Sequence, residues 1–219
     1  MRIEDYGLIG DMQTAALVGR NGAVDWLCLP RFDSPSCFTA LLGDEMHGRW
    51  LLAPSGEVRA SARRYRAGTL VLETDFETAE GAVRVIDFMP RRREGPPRLM
   101  RIVEGLRGRV PMQMELSLRP DYASIVPWVE AVPDGSLPPP GRTRFVSAPG
   151  WCSRLRTGRY ERTLSPLKAP ANGSRSRGTC RMERRHQSRT PTRRSRARRR
   201  GSESGADAAP TTVAIGTRY

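Results

Sequence analysis

The stretch "CLPRFDSPSCFTALLGD", Cys28 to Asp44, places Arg31, Asp33 and Ser34 within four residues of one another. Considered alone, it invites an active-site reading around those three polar side chains. Other acids could serve as general acid and base only in pairs, and the adjacent candidates are Asp44 with Glu45 and Glu73 with Asp75. Their positions in the surrounding pattern suit solvent faces better than a reaction centre. The chain has four cysteines (Cys28, Cys37, Cys152 and Cys180) with no CxxC pair, and two histidines (His47 and His186). A zinc centre needs several such ligands at close spacing, so no metal and no cofactor is expected. Cys28 and Cys37 lie in apolar surroundings and are read as buried free thiols. Trp26 and Trp50 could stack on sugar rings, although large aromatics in a β domain more often fill its core.

These residues must be positioned by strands and turns. A strand over 14–19 leads into Asn21-Gly22, a dipeptide that tolerates positive φ at both turn positions and signals a hairpin. The return strand, 23–29, stops at Pro30, which cannot donate to a ladder. Ser34 or Ser36 can cap a short helix near residues 36–42, with Gly43 as its stop. Strands are then expected at 50–53, 58–65, 69–78, 83–89, 99–105, 112–119 and 125–129. Met112, Met114, Leu116 and Leu118 form the clearest inward face. Short strands with turn signals every eight to twelve residues predict an all-β fold, an antiparallel β-sandwich.

Charge divides the chain. The protein has 219 residues and a net charge of +14. Residues 1–130 hold 17 basic and 18 acidic side chains, whereas residues 131–219 hold 20 basic and 5 acidic ones. Only Lys168 among the basic residues is lysine, which points to a GC-rich coding sequence rather than selection for phosphate binding. From residue 131 onward just ten of 89 residues are Ile, Leu, Val, Met or Phe. Such a segment cannot bury enough apolar area to offset the entropy of ordering, so a disordered basic tail is expected there. An arginine-rich arm would bind nucleic acid nonspecifically and with strong salt dependence. It lacks the interleaved aromatics of a base-stacking surface, so binding would be nonspecific at most; a nucleic-acid-associated protein is the alternative reading, although nucleic acid is not the expected partner. No secretory leader pattern opens the sequence and no apolar run is long enough to span a bilayer; a cytoplasmic protein is the expectation.

The stretches "IEDYGLIGDMQTAALVGRNGAVDWLCLPRFDSPSCFTALLGDEMHGRW", "YRAGTLVLETDFETAEGAVRVIDFMP" and "RIVEGLRGRVPMQMELSLRPDYASIVPW" together resemble one known family. They are similar to the start of the bacterial glucoamylase, glucodextranase and trehalase-like enzymes of glycoside hydrolase family 15. The resemblance covers roughly the first 130 residues and implies a trehalase-like N-terminal domain, a super-sandwich. In that family a linker and an (α/α)6 catalytic barrel follow, and the parent hydrolyses α-glucosidic bonds of α-glucans or trehalose. It further implies that Trp26, Arg31, Phe32, Asp33 and Ser34 lie on the barrel-facing side, near the substrate entrance.

Inverting hydrolysis requires a carboxylic acid and a carboxylate about 6.5–9.5 Å apart, held by that barrel. Glu161, Glu183 and Glu203 lie in the basic tail and match nothing catalytic, so the chain is expected to be inactive alone. Two segments are therefore expected: a non-catalytic sandwich over 1–130 and an out-of-frame tail over 131–219. Ala148 to Cys152 permits one check of the frame, because its codons GCN-CCN-GGN-TGG-TGY, read from the third base, allow Pro-Gly-Leu-Val. That is a strand-like sequence where this frame has "APGWCS".

Overall fold

The computed structural model describes residues 1–93 and 95–127 in full, together with the backbone of the strands that lie beyond them. Nine strands precede residue 118 and are antiparallel throughout. They are β1 (Tyr6–Gly10), β2 (Ala15–Gly19), β3 (Ala23–Cys28), β4 (Ser36–Phe38), β5 (Arg49–Pro54), β6 (Ala60–Tyr65), β7 (Leu72–Glu77), β8 (Gly81–Phe88) and β9 (Arg98–Ser117). One layer runs β1-β2-β3-β5 into the second half of β9, and the other runs β6-β7-β8 into its first half. The result is a single curled sheet folded over one core, as the alternating patterns predict.

The strand β9 joins the layers. The sequence reads as two strands, 99–105 and 112–119, but the chain forms one strand of 20 residues. Gly108, at φ 65°, and a bulge opposite Ala82 and Val83 let the backbone turn between layers without a loop. Before the bend β9 pairs with β8, where Phe88 faces Met100; after it, Leu52 of β5 faces Met114. Met112, Met114, Leu116 and Leu118 are all buried, as period two requires. They meet Trp50, Leu27, Phe38, Leu72, Phe76 and Val85 in one continuous core.

The first hairpin turns at Asn21-Gly22, but only Gly22 takes positive φ, at 82°. The loop has three residues rather than two: Gly22 N–H donates to the Gly19 carbonyl, and Ala23 N–H donates to Asn21 Oδ1. An added Cβ on Gly22 would collide with the Leu52 carbonyl, so the close approach of the neighbouring strand β5 as well as dihedral angle demands glycine here.

The short helix expected at 36–42 is replaced. Ser36–Phe38 is strand β4, in which Phe38 pairs with Leu27 and Ser36 with Cys28. Only a single 3-10 turn follows, over Ala40–Leu42, closed by Gly43 N–H donating to Ala40. The capping hydroxyls are committed elsewhere: Ser34 Oγ accepts from Arg31 N–H, and Ser36 Oγ lies 2.6 Å from Thr39 Oγ1. Helix nucleation in so short a segment is unfavourable, and burial of Phe38 against β3 decides the outcome.

Beyond residue 127 the described strands are β10 (Trp128–Val132), β11 (Thr143–Ser147), β12 (Trp151–Arg156), β13 (Arg159–Lys168), β14 (Arg177–Arg184) and β15 (Thr212–Gly216). β10 begins later than the 125–129 expectation. β13 and β14 lie along the second edge of β9. The disorder expected over 131–219 otherwise concerns residues outside those described.

Candidate substrate-entrance site

One end of the fold gathers the connections 11–14, 29–35, 39–48, 66–71 and 90–97, together with the chain leaving β9. Three of these are locked together by a buried polar knot. Asp11 Oδ1 accepts from the N–H groups of Gln13 and Thr14 at 2.9 and 2.8 Å, while Oδ2 lies 3.4 Å from Arg92 Nε. Arg92 Nη2 donates to the Pro30 carbonyl at 2.7 Å, and Thr14 Oγ1 donates to the Cys28 carbonyl at 2.6 Å. Phe32 N–H donates to the Gln13 carbonyl. The loop carrying Arg31, Phe32, Asp33 and Ser34 is thereby fixed to the β1–β2 connection and to the approach to β9.

On that frame Arg31 and Asp33 form a bidentate, solvent-exposed pair at 3.0 and 3.1 Å. Phe32 is 62% exposed, and Ser34 is half-buried under the Arg31 backbone. Gln13, Arg31, Phe32 and Asp33 line a shallow open depression of about 460 Å³. Beside the β1–β2 loop a second depression of about 770 Å³ opens between Met12 and the β6–β7 hairpin. Met12, 77% exposed, and Leu70 add apolar surface to this end, as do Leu42, Met46 and Val126. Trp26 is not among these residues. It stands half-buried on the outer side of β3, 6.4 Å from the Tyr122 ring, so the sequence-derived group is divided between two places. Trp50, the other stacking candidate, is completely buried.

The two acid pairs singled out in the sequence are committed to structural contacts. Asp44 caps the 3-10 turn Glu45–His47 by accepting from Met46 N–H, which holds its carboxyl below the usual range. Glu45 pairs with Arg49. Glu73 and Asp75 sit in a network with Arg64, Arg66 and Arg84 on the outer face of β6–β8. Hydrogen bonding from Arg66 depresses the Glu73 carboxyl, and that from Arg84 depresses Asp75. Cys28 and Cys37 are buried thiols outside any disulfide, and burial pushes the Cys28 thiol up. Among the described residues no cluster of three or more His, Cys, Asp or Glu could hold a metal ion. Among them, too, no helix is long and apolar enough to cross a membrane.

Sequence reading missed two polar features. Asp87 and Arg101 form an ion pair inside the core, and Asp25 is a nearly buried carboxylate at the β3 bulge that accepts from the Tyr6 hydroxyl at 2.8 Å. Charged residues at the inward positions of β8 and β9 were a readable signal for the first pair.

The described residues form a two-layer antiparallel domain whose loops present apolar groups at one end. The chain belongs to the family described as "Trehalase-like, N-terminal", which matches residues 1–144. It is 46% identical over 87 residues to a trehalase of Mycolicibacterium smegmatis, covering 40% of this chain and 13% of that protein. A trehalase of Thermoplasma volcanium is 32% identical over 126 residues, covering 55% of this chain and 20% of the relative. Trehalase 2 of Sulfolobus acidocaldarius is 30% identical over 133 residues, with 61% and 21% covered. The chain thus spans about a fifth or less of the length of these three relatives. No solved structure gives a significant match.

Proposed function

We propose that residues 1–130 are the non-catalytic N-terminal domain of a family 15 type glycoside hydrolase, whose parent hydrolyses trehalose or a related α-glucoside in the cytoplasm. The observation that carries this reading is the end face with Met12 and Phe32 exposed on loops held rigid by Asp11 and Arg92. Exposed apolar groups on a fixed frame suit a permanent protein contact better than solvent. The partner is the (α/α)6 catalytic barrel, and Arg31, Phe32, Asp33 and Ser34 line its substrate entrance. The family membership and the trehalase names of its relatives support that choice.

The family match runs to residue 144, past the expected break, and the segment beyond it, 145–219, is an out-of-frame tail with no role in catalysis. Its composition supports this, and the coding DNA tests it: an alternative frame encoding helical repeats with paired glutamates is expected, and its absence would remove the idea. The purified chain alone is expected to release no glucose from trehalose or maltooligosaccharides, and release would overturn this reading. The domain assignment is tested by a chimera in which residues 1–130 replace the matching region of the M. smegmatis trehalase. Retained trehalose hydrolysis is expected, and a well-folded but inactive chimera would count against the assignment.

A further inference from the structure

The outer face of the first layer breaks the usual rule that a solvent-facing sheet surface is polar. In register across β1, β2 and β3 stand Leu8, Leu17 and Trp26. Asp25 is the extra residue of the β3 bulge, which leaves Trp26 outward while Val24 and Leu27 stay in the core. At the end of this row lies Tyr122, 54% exposed, with its ring plane tilted 43° to that of Trp26.

Tyr122 is held there at a cost. Asp121, Tyr122 and Ala123 take φ values of 55°, 53° and 70°, three successive left-handed residues without a glycine. Such conformations cost about 1–3 kcal/mol each and persist where surrounding structure enforces them. Here Ala123 N–H donates to the Arg119 carbonyl, Ile125 N–H to that of Pro120, and Ser124 Oγ to Asp121 Oδ2. A glycine at 122 would relax the turn and delete the ring. The ring is what the strained turn presents.

We propose that Trp26 and Tyr122 form a stacking platform for the glucosyl rings of an α-glucoside, a site separate from the depression at Phe32. A pyranose offers a flat C–H face ringed by hydroxyls, which suits an exposed aromatic surface with a wet margin. Two rings inclined to each other fit two successive, non-coplanar sugars, the shape of an α-linked disaccharide. The choice of glucose rests on the proposed function; the platform geometry does not.

The test is titration of the full chain with trehalose and with maltoheptaose, following the indole N–H resonance of Trp26, with cellobiose as control. A saturable shift in the millimolar range is expected with an α-glucoside and not with cellobiose. Tyr122→Gly is expected to weaken it about tenfold while leaving the unfolding midpoint equal or higher. Trp26→Leu is expected to abolish binding seen by isothermal calorimetry. Absence of saturable binding, or binding unchanged in Tyr122→Gly, overturns the platform. So does weaker chimera activity on Tyr122→Gly with unaltered sugar binding, which would make this face a protein contact. A chimera that is active while its N-terminal domain binds no sugar would sink the platform and leave the accessory-domain reading intact.

Discussion

Arg101 and Asp87 face each other on neighbouring strands inside the core, with Nε–Oδ1 at 2.7 Å and Nη2–Oδ2 at 3.2 Å. Arg101 also crosses between layers, donating to the carbonyls of Trp50 and Gly22 at 2.6 and 2.7 Å. Its guanidinium carbon lies 5.2 Å from the Trp50 ring centre. One side chain therefore fixes the β8–β9 ladder against β5 and the first hairpin. Arg101→Met leaves the buried Asp87 carboxyl without its ion-pair partner, and a loss of about 3–5 kcal/mol is expected in urea unfolding. Arg101→Met with Asp87→Leu recovers part of that. The shortfall, about 1–3 kcal/mol, reflects the lost Arg101 hydrogen bonds to the Trp50 and Gly22 carbonyls, although Gly22 keeps the Leu52 N–H as a donor.

Gly22 makes the second prediction. Gly22→Ala meets both a positive φ and the Leu52 carbonyl, so it should destabilise the fold by roughly 1–3 kcal/mol. Gly68 also has positive φ but faces open space, so Gly68→Ala should cost less. Thermal unfolding of the two variants orders them.

The network on the outer face sets an acid limit. Glu73 and Asp75 both titrate below their ordinary values in the folded chain. Their contribution is present at neutral pH, begins to fall near the unfolded carboxylate values of about 4, and is lost below the folded ones. Arg84→Gln should flatten the fall in unfolding midpoint between neutral pH and about pH 3, because Arg84 contacts both acids.

Asp25 has the opposite sign. Burial lifts its carboxyl above the ordinary value, outweighing the hydrogen bond from Tyr6 and the charge of Arg49. Its ionised form is therefore disfavoured by folding, and the penalty grows as pH rises past the unfolded value. Asp25→Asn keeps an acceptor for Tyr6 and should stabilise the chain at pH 7. Below the unfolded carboxylate value the two proteins should unfold alike.

Phe32→Ser separates fold from contact. The side chain is 62% exposed, so the unfolding midpoint should change little. In the trehalase chimera the same substitution should lower activity or assembly. A variant that leaves the chimera untouched would move the partner surface away from Phe32.

Local chemistry in the sequence determined most strand positions after residue 14, though not β1, together with the stop at Pro30, the turn at Asn21-Gly22 and the inward face of Met112 to Leu118. Each depends on a residue's own dihedral limits or on period two, both local properties. The resemblance of the first 130 residues was readable as well, since long motifs carry it. Tertiary structure decided the rest. Phe38 pairs with Leu27 in a strand although its segment resembles a capped helix, because burial against β3 outweighs a marginal local preference. β9 runs on through Gly105 and Gly108 because both its halves find partners in different layers. Asp87, Arg101 and Gly22 meet only when those layers close, and Trp26 meets Tyr122 only when the chain leaving β9 returns beside β3. Such contacts depend on chain closure over long sequence separations, which no local pattern encodes.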